Sequence, residues 1–232
     1  SSSVSRPNFR ELSDTGFFDV ERGRLVRGNS ELESSQIHHA DMRWEWYFSP
    51  KESLSLAAFG KYFNKPIEMV YKMSAENAIT YQNANYAENA GIEIEARKSL
   101  DFIHEIFKPL VISGNASWIY SRVYLEEGAS LSSSTERPLQ GQSPWVINGR
   151  MAWSEKARSV SVLYNVFGPR IIEVGDNGVP DLYEQPFHRV DFVYRETLGD
   201  IALSLKGQNL LDSKQQITIG DKVVFDVRPG SQ

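Results

Sequence analysis

The residues of this 232-residue chain best suited to polar chemistry come in runs spaced by two or four: His39, Asp41, Arg43 and Glu45, then Glu93, Glu95 and Arg97, then Arg189, Asp191 and Arg195, with Arg150 between the last two runs. On an extended backbone, side chains two apart share a face, so each run is a strip of charge along one side of a strand. Two chemistries fit such strips. Acids and bases that converge make a catalytic or ligand site, whereas opposite charges on neighbouring strands pair with one another and make a solvated wall. The mixed signs here favour the wall. A second group, Arg22, Arg24 and Arg27, lies in one polar stretch. Guanidinium forks there could hold an anionic ligand by bidentate contacts, or pair with Asp19 and Glu21 nearby. Phe17, Phe18, Tyr71, Tyr81 and Tyr183, in long polar connections, are candidate ligand contacts.

Other chemistries find less support. His38 and His39 are adjacent and point to opposite faces of a strand, so they cannot chelate one metal together; His104 and His188 fall at a turn and a loop end. No metal site and no cofactor is expected. A serine nucleophile needs a neighbouring base. Ser161 and Ser204 fall on the charged face, but no histidine is placed to serve them in the sequence, so the chain is not expected to be an enzyme. Cysteine is absent, which removes disulfides and thiolate ligands. The net charge is −5, with 25 Lys and Arg scattered among 30 Asp and Glu, so there is no basic footprint for nucleic acid.

The elements that carry these residues alternate with period two. In Gln36–Phe48, Ala40, Met42, Trp44, Trp46 and Phe48 oppose the charged set. In Asn89–Arg97, Ala90, Ile92, Ile94 and Ala96 do the same. Leu54–Phe63, Leu110–Val123, Trp145–Trp153, Ser159–Phe167, Arg189–Arg195 and Ile201–Gln208 complete eight main strands. Their connections alternate short and long: turns near Pro50, Leu100–Lys108, Glu155 and Gly199, against long segments 64–86, 124–143 and 168–186. An up-and-down membrane barrel sorts its loops this way, with short periplasmic turns and long extracellular loops. Sandwiches and soluble barrels have no reason to. No run of eighteen apolar residues exists, and the mean hydropathy of −0.40 fits strands that are apolar on one face only. The fold class read from the sequence is therefore all-β: an antiparallel up-and-down meander of about eight main strands, part of a large transmembrane β-barrel. Pro7–Ser35 reads as a long connection without periodicity, and Ser213–Gln232 as a loop with a local hairpin at Gly220-Asp221. A barrel of only eight strands has a narrow interior, and filling it with this many long charged residues would bury them at high cost. The meander is expected to stay open, with Ser1–Arg6 or Gln36–Phe48 at one edge and Ile201–Gln208 at the other.

Three short segments carry a resemblance. Arg6-Pro7-Asn8-Phe9-Arg10-Glu11-Leu12 resembles an R-P-x-F-x-x-L segment, Gly28-Asn29-Ser30-Glu31-Leu32 a G-N-P-x-L segment, and Gln208-Asn209-Leu210-Leu211-Asp212 an N-L-[FL]-[ND] segment of TonB-dependent outer-membrane receptors. Ser30 stands where proline is usual in that family. The resemblance implies that residues 1–232 form the C-terminal portion of one barrel domain, without the plug domain and the final strand. It also implies a receptor in the outer membrane of a Gram-negative bacterium that imports a scarce ligand, such as a siderophore, cobalamin or a saccharide, in a TonB-dependent manner. The implied partners are outer-membrane lipid and lipopolysaccharide, the plug domain of the same protein, the TonB complex and a small-molecule ligand. The charged strips would then face the lumen and plug. A structural or adhesive outer-membrane barrel, and a small self-contained eight-stranded barrel, remain as alternative readings.

Overall fold

A computed structural model describes residues 1–20, 24–72, 78–125, 136–175 and 180–231. Strands β1 (Ser2–Ser5), β2 (Ser35–Ser49), β3 (Glu52–Asn64), β4 (Tyr86–Ser99), β5 (Leu110–Tyr124), β6 (Trp145–Glu155), β7 (Arg158–Phe167), β8 (Arg189–Leu198) and β9 (Ile201–Gly207) form one antiparallel sheet in sequence order. The short strand Glu136–Arg137 adds to β5 above the start of β6. Ser2–Ser5 pairs with Ser35–His38, so the first residues are a ninth edge strand beyond the eight main ones. At the other edge β9 pairs only with β8, and among the described residues no bond joins it to β1 or β2. The meander is open, as its charged face requires.

Pairing register turns the sequence alternation into two complete faces. Trp44, Leu56, Ile94, Ala116, Ile147 and Val166 lie opposite one another in a row across six strands. The adjacent row is polar: Glu45, Ser55, Glu95, Asn115, Asn148 and Asn165. Among the described residues no second layer covers most of this row: Trp44, Leu56, Ile94 and Ile147 stay 42–50% exposed, while Val166 at its far end is buried. An apolar face of this extent in water would drive association. It is suited to hydrocarbon, and β2 to β5, at 13 to 15 residues each, exceed the nine to eleven or so that a tilted strand needs to cross a bilayer.

The long connections hold more structure than their sequences indicate. The stretch Pro7–Ser35, which lacks sequence periodicity, contains a short helix, Phe9–Leu12, and the strands Phe17–Asp19 and Arg24–Val26. These strands join Ala78–Asn83 and Ile67–Lys72 in a four-stranded sheet that includes a parallel pairing of Leu25 with Ala78 and Val26 with Ile79. A second four-stranded sheet unites Arg170–Glu173, Leu182–Glu184, Gln215–Ile219 and Lys222–Val227. Its last hairpin turns at Gly220, whose φ of +54° favours glycine, at the place the sequence indicates. Most of the tightly buried residues lie in these connections: Val26, Val70, Ile79, Ile171 and Val174 are at most 1% exposed.

If the apolar row faces lipid, Ile94→Arg near mid-strand costs about 2 to 4 kcal/mol of folding free energy in a bilayer refolding titration, whereas Glu93→Arg on the opposite face is mild. Equal costs would reject this assignment of faces.

Candidate functional site

All eleven charged residues read from the sequence lie on one face. His39, Asp41, Arg43 and Glu45 stand on β2; Glu93, Glu95 and Arg97 on β4; Arg150 on β6; Arg189, Asp191 and Arg195 on β8. Their contacts run along and across strands rather than toward a centre. Arg43 donates from Nε to Glu45 at 2.6 Å and from Nη2 to Glu95 at 2.9 Å, and the Tyr47 hydroxyl donates to the other Glu45 oxygen at 2.7 Å. Arg150 donates to Ser161 Oγ at 3.1 Å, and Arg189 to Asp191 at 2.9 Å. The His39 ring meets Ser3 Oγ at 2.8 Å. Between the charges runs an amide ladder, in which Asn148 donates to Asn115 at 2.7 Å and Asn165 donates to Asn148. Exposed pairs of this kind contribute only about 0 to 1 kcal/mol each. The face is a wet wall with its hydrogen bonds distributed, and its Ser3–His39 contact lies at an exposed edge of the sheet.

Among the described residues no group of three His, Cys, Asp or Glu side chains could hold a metal ion. His38 stacks on Tyr62 across β2 and β3, while His39 turns to the polar face. His104 Nδ1 accepts from the Ile106 amide and so caps a short 3-10 turn, and His188 Nδ1 lies 2.8 Å from the Tyr164 hydroxyl.

The candidate ligand contacts divide between the two small sheets. Phe17 and Phe18 pair with Val26 and Leu25, and Phe18 is exposed. The Arg10 guanidinium sits 5.4 Å from the Phe17 ring centroid. Phe9, Arg10, Phe17, Phe18 and Val20 line an open recess of about 560 Å³. Tyr81 pairs with Met69 in the same sheet, while Tyr183 lies in the other sheet between Ile171 and Thr218. Burial, with Asp181 adding, pushes the Tyr183 phenol above its ordinary pKa. Arg22 lies outside the described residues; for Arg24 and Tyr71 only the backbone is described, within strands Arg24–Val26 and Ile67–Lys72. Arg27 is exposed, and its amide donates to the Ile79 carbonyl at 2.8 Å. Arg24 and Arg27 thus stand in and just past one short strand, and among the described side chains the aromatic set does not converge on a single recess.

The three segments that resemble the receptor family are joints. Asn8 Oδ1 accepts from the Glu11 amide at 3.0 Å and the Glu11 carboxylate accepts from the Asn8 amide at 2.9 Å, a capping box that fixes the helix Phe9–Leu12. Gly28 closes against that helix: its amide donates to the Ser13 carbonyl at 3.0 Å, and a Cβ here would lie 2.4 Å from the same oxygen. The Asn29 amide reaches the Glu11 carbonyl at 2.6 Å, and its side chain donates to the Tyr81 carbonyl. The first two segments therefore form one knot. Asn209, with φ of +49°, donates from its amide to Asp191 at 2.9 Å and from its side chain to the Gly230 carbonyl at 3.2 Å. It pins the third segment to β8.

One feature was not legible in the sequence. Arg137 and Glu68 form a bidentate pair, Nη1 to Oε1 at 2.9 Å and Nη2 to Oε2 at 2.6 Å, with side chains only 3% and 2% exposed. Burial disfavours the Arg137 charge, but the Glu68 carboxylate outweighs it and holds the guanidinium pKa above the ordinary arginine value. Beside the pair, Gln140 accepts from the Met69 amide at 2.9 Å and donates to the Ile172 carbonyl at 2.6 Å, and Gly141 donates to the Ile171 carbonyl at 2.8 Å. Leu139 and Gln142 turn onto the polar face, where the Leu139 amide meets Ser121 Oγ and Gln142 accepts from Asn89. One segment, 137–142, thus ties the two small sheets together and to the wall. An arginine and a glutamate 69 residues apart carry no mutual signal in one sequence.

Removing one partner of a buried pair leaves the other charge uncompensated. Arg137→Met should lower the stability of this loop layer by about 3 to 5 kcal/mol, read as faster amide hydrogen exchange at Val70 and Ile79. Glu68→Met with Arg137→Met should recover most of that loss. Unchanged exchange in the single variant would show that the pair does not hold the layer.

The structure is similar to the ferric enterobactin receptor PfeA mutant G324V from Pseudomonas aeruginosa, with a TM-score of 0.58 at 14% identity over 92% of this chain and 32% of that one. It is similar to the siderophore receptor PirA from Acinetobacter baumannii, with a TM-score of 0.59 at 11% identity over 92% and 34%. It is also similar to the copper transporter OprC, with a TM-score of 0.64 at 15% identity over 92% and 30%. At these identities the likeness is one of fold, and the chain spans about a third of the length of the structures it matches. The comparison with curated proteins gives no match. The sequence itself matches the family described as TonB dependent receptor-like, beta-barrel, over residues 1–210, which takes in the Asn8–Gly28 knot, every strand of the meander and the Asn209 pin. By that match the chain belongs to the TonB-dependent receptor-like β-barrel family.

Proposed function

We propose that this chain is part of the wall of an outer-membrane receptor that imports a scarce small molecule in a TonB-dependent manner. The observation that carries the reading is the one-layered sheet with a continuous exposed apolar face on one side and a hydrogen-bonded charged face on the other. In this reading the apolar face meets outer-membrane lipid. His39, Asp41, Arg43, Glu45, Glu93, Glu95, Arg97, Arg150, Arg189, Asp191 and Arg195 face a lumen filled by an N-terminal plug of the same protein. A plug needs polar partners spread over its surface, and the amide ladder and charge pairs offer them without a deep apolar grip that would hinder its movement.

The long connections are then extracellular, and their two sheets, held by Arg137 and Glu68, form the receiving surface. Phe17, Phe18, Arg24, Arg27, Tyr71, Tyr81 and Tyr183 are its candidate ligand contacts. Arg10 over Phe17 adds a cation beside an aromatic wall, a combination suited to an anionic or aromatic ligand. Siderophores, cobalamin and saccharides all fall within reach of such a surface.

Sidedness is testable by labelling. In intact cells a membrane-impermeant maleimide should react with Asn85→Cys, at a long connection, and should reach Lys156→Cys, at a short turn, only after the outer membrane is permeabilised. The opposite pattern would invert the topology.

The transport reading is tested with the whole receptor in iron-limited cells, using ferric enterobactin, other ferric siderophores, cyanocobalamin and maltooligosaccharides as probes. At least one probe should accumulate in a receptor-dependent way, and that accumulation should vanish when TonB is deleted. Uptake that survives the deletion, or surface binding with no uptake of any probe, would reject the proposal and favour a structural or adhesive barrel.

A further inference from the structure

The connection between β4 and β5, residues 100–109, differs from the other short turns. Those at Ser49-Pro50-Lys51, Glu155-Lys156 and Gly199-Asp200 carry polar or small residues at their tips. Here Phe102, Ile103 and Ile106 are 66%, 58% and 72% exposed, with Phe107 beside them. The backbone that displays them is well bonded. Ile103 donates to the Leu100 carbonyl, Phe107 to His104 and Lys108 to Glu105, and the His104 ring caps the turn. Neighbours tie it from both sides: the Lys51 ammonium lies 3.5 Å from the Lys108 carbonyl, and the Ser154 amide donates to the Pro109 carbonyl at 3.0 Å.

Its place in the sheet says what covers it. Lys98 shares the apolar face with Ile92 and Ile94, its ammonium lies 5.4 Å from the Phe102 ring centroid, and it pairs with Glu52 at 2.8 Å. Phe102 therefore continues the apolar face past the end of β4. On β2 the same end of that face carries Trp46 and Phe48, whose rings are 4.5 Å apart.

We infer that residues 100–109 are an interfacial anchor that inserts Phe102, Ile103, Ile106 and Phe107 into the phospholipid monolayer on the short-turn side of the membrane. The inference rests on the membrane placement of the sheet proposed above and goes beyond it, because a turn of this kind has no part in spanning. Amphipathic elements at such a boundary bury their apolar side about 5 to 10 Å into the headgroup and acyl region. Aromatic rings settle at that depth, and Lys51, Lys98 and Lys108 are long enough to lay their stems on it while their ammonium groups reach lipid phosphates. Asp101 and Glu105 remain available to water.

The absence of cysteine from this chain makes a site-specific test direct. Ile106→Cys, in the whole receptor freed of any cysteine elsewhere, is coupled to the fluorophore NBD and reconstituted in vesicles of phosphatidylethanolamine and phosphatidylglycerol that contain doxyl-labelled lipids. Ile92→Cys on the apolar face and Lys156→Cys at a polar turn serve as references. Emission at position 106 should shift to the blue and lose intensity most with the doxyl group near the headgroup. Position 92 should be quenched by deeper doxyl groups, and position 156 by neither. If 92 is quenched while 106 behaves like 156, the anchor is refuted and the placement of the sheet stands. If 106 is blue-shifted but untouched by doxyl lipid, a protein surface covers the turn and the anchor is again refuted. If 92 itself is unquenched, the placement falls and the anchor falls with it.

Discussion

A sheet one layer thick has no interior, and most of what this chain does follows from that constraint. Between the edges, backbone donors and acceptors are satisfied by the strands on either side, but among the described residues no second layer covers most of the apolar face, and the segment 137–142 folds onto only part of the polar one. The apolar side is suited to an apolar solvent, because Trp44, Leu56, Ile94 and Ile147 stand in one row with nearly half their surface open. The other side must satisfy its own polarity, and it does so locally through Arg43 with Glu45 and Glu95, Arg189 with Asp191, and the amides of Asn115, Asn148 and Asn165. Packing in the usual sense is displaced to the ends of the strands. Ala84, Ala87 and Val123 form a small cluster where Leu139 folds back onto the sheet, and Val70, Ile79, Ile171 and Val174 are sealed within the connections.

The two kinds of ion pair in the chain do different work. On the wall, Arg43 and Glu95 are each about half exposed, so water and salt screen them and the pair stabilises little. Their value is that they keep a wide surface hydrated and evenly bonded. Arg137 and Glu68 are dry, and taking both out of water costs more than a surface pair ever returns; apolar residues of similar volume could serve stability equally well. What a bidentate pair adds is geometry. The fork meets the carboxylate in one orientation, and Gln140 and Gly141 then bond the Met69 amide and the Ile171 and Ile172 carbonyls. A layer built from loops gains a fixed shape from a contact that only one arrangement satisfies.

The wall was legible in the sequence because its rule is local. Period two assigns every residue from His39 to Glu45 to a face without reference to any partner, and the turn residues at Gly199 and Gly220 mark where the chain reverses. The loop layer follows no such rule. Phe17–Asp19 and Arg24–Val26 are three residues each, too short for a period to show, and the parallel pairing of Leu25 with Ala78 joins segments more than fifty residues apart. For the same reason the aromatic and arginine candidates could be named but not grouped: Tyr81 and Tyr183 look alike in sequence, yet they belong to different sheets. The motif residues mark an intermediate case. Gly28 and Asn29 were recognisable as letters, but the reason for them is visible only where they touch the Asn8-capped helix.

β9 leaves one side of Ile201–Gly207 without a partner among the described residues, and beyond β1 most of β2 has neighbours on one side only. Unpaired amides and carbonyls cost several kcal/mol each in hydrocarbon. A membrane setting therefore demands further strands on both edges. Joining the two edges of this sheet to each other is the alternative, and the polar face argues against it. A closed barrel of eight or nine strands has an interior only just wide enough to fill with side chains. Arg43, Glu45, Glu93, Glu95, Arg97, Arg150, Arg189 and Arg195 would have to pack there without water, although the pairs that Arg43 forms with Glu45 and Glu95 are open, solvated ones. A wall of wider radius keeps those charges wet and gives each open edge a neighbour, so the same constraint that strips this sheet of a core also makes it one arc of a larger ring.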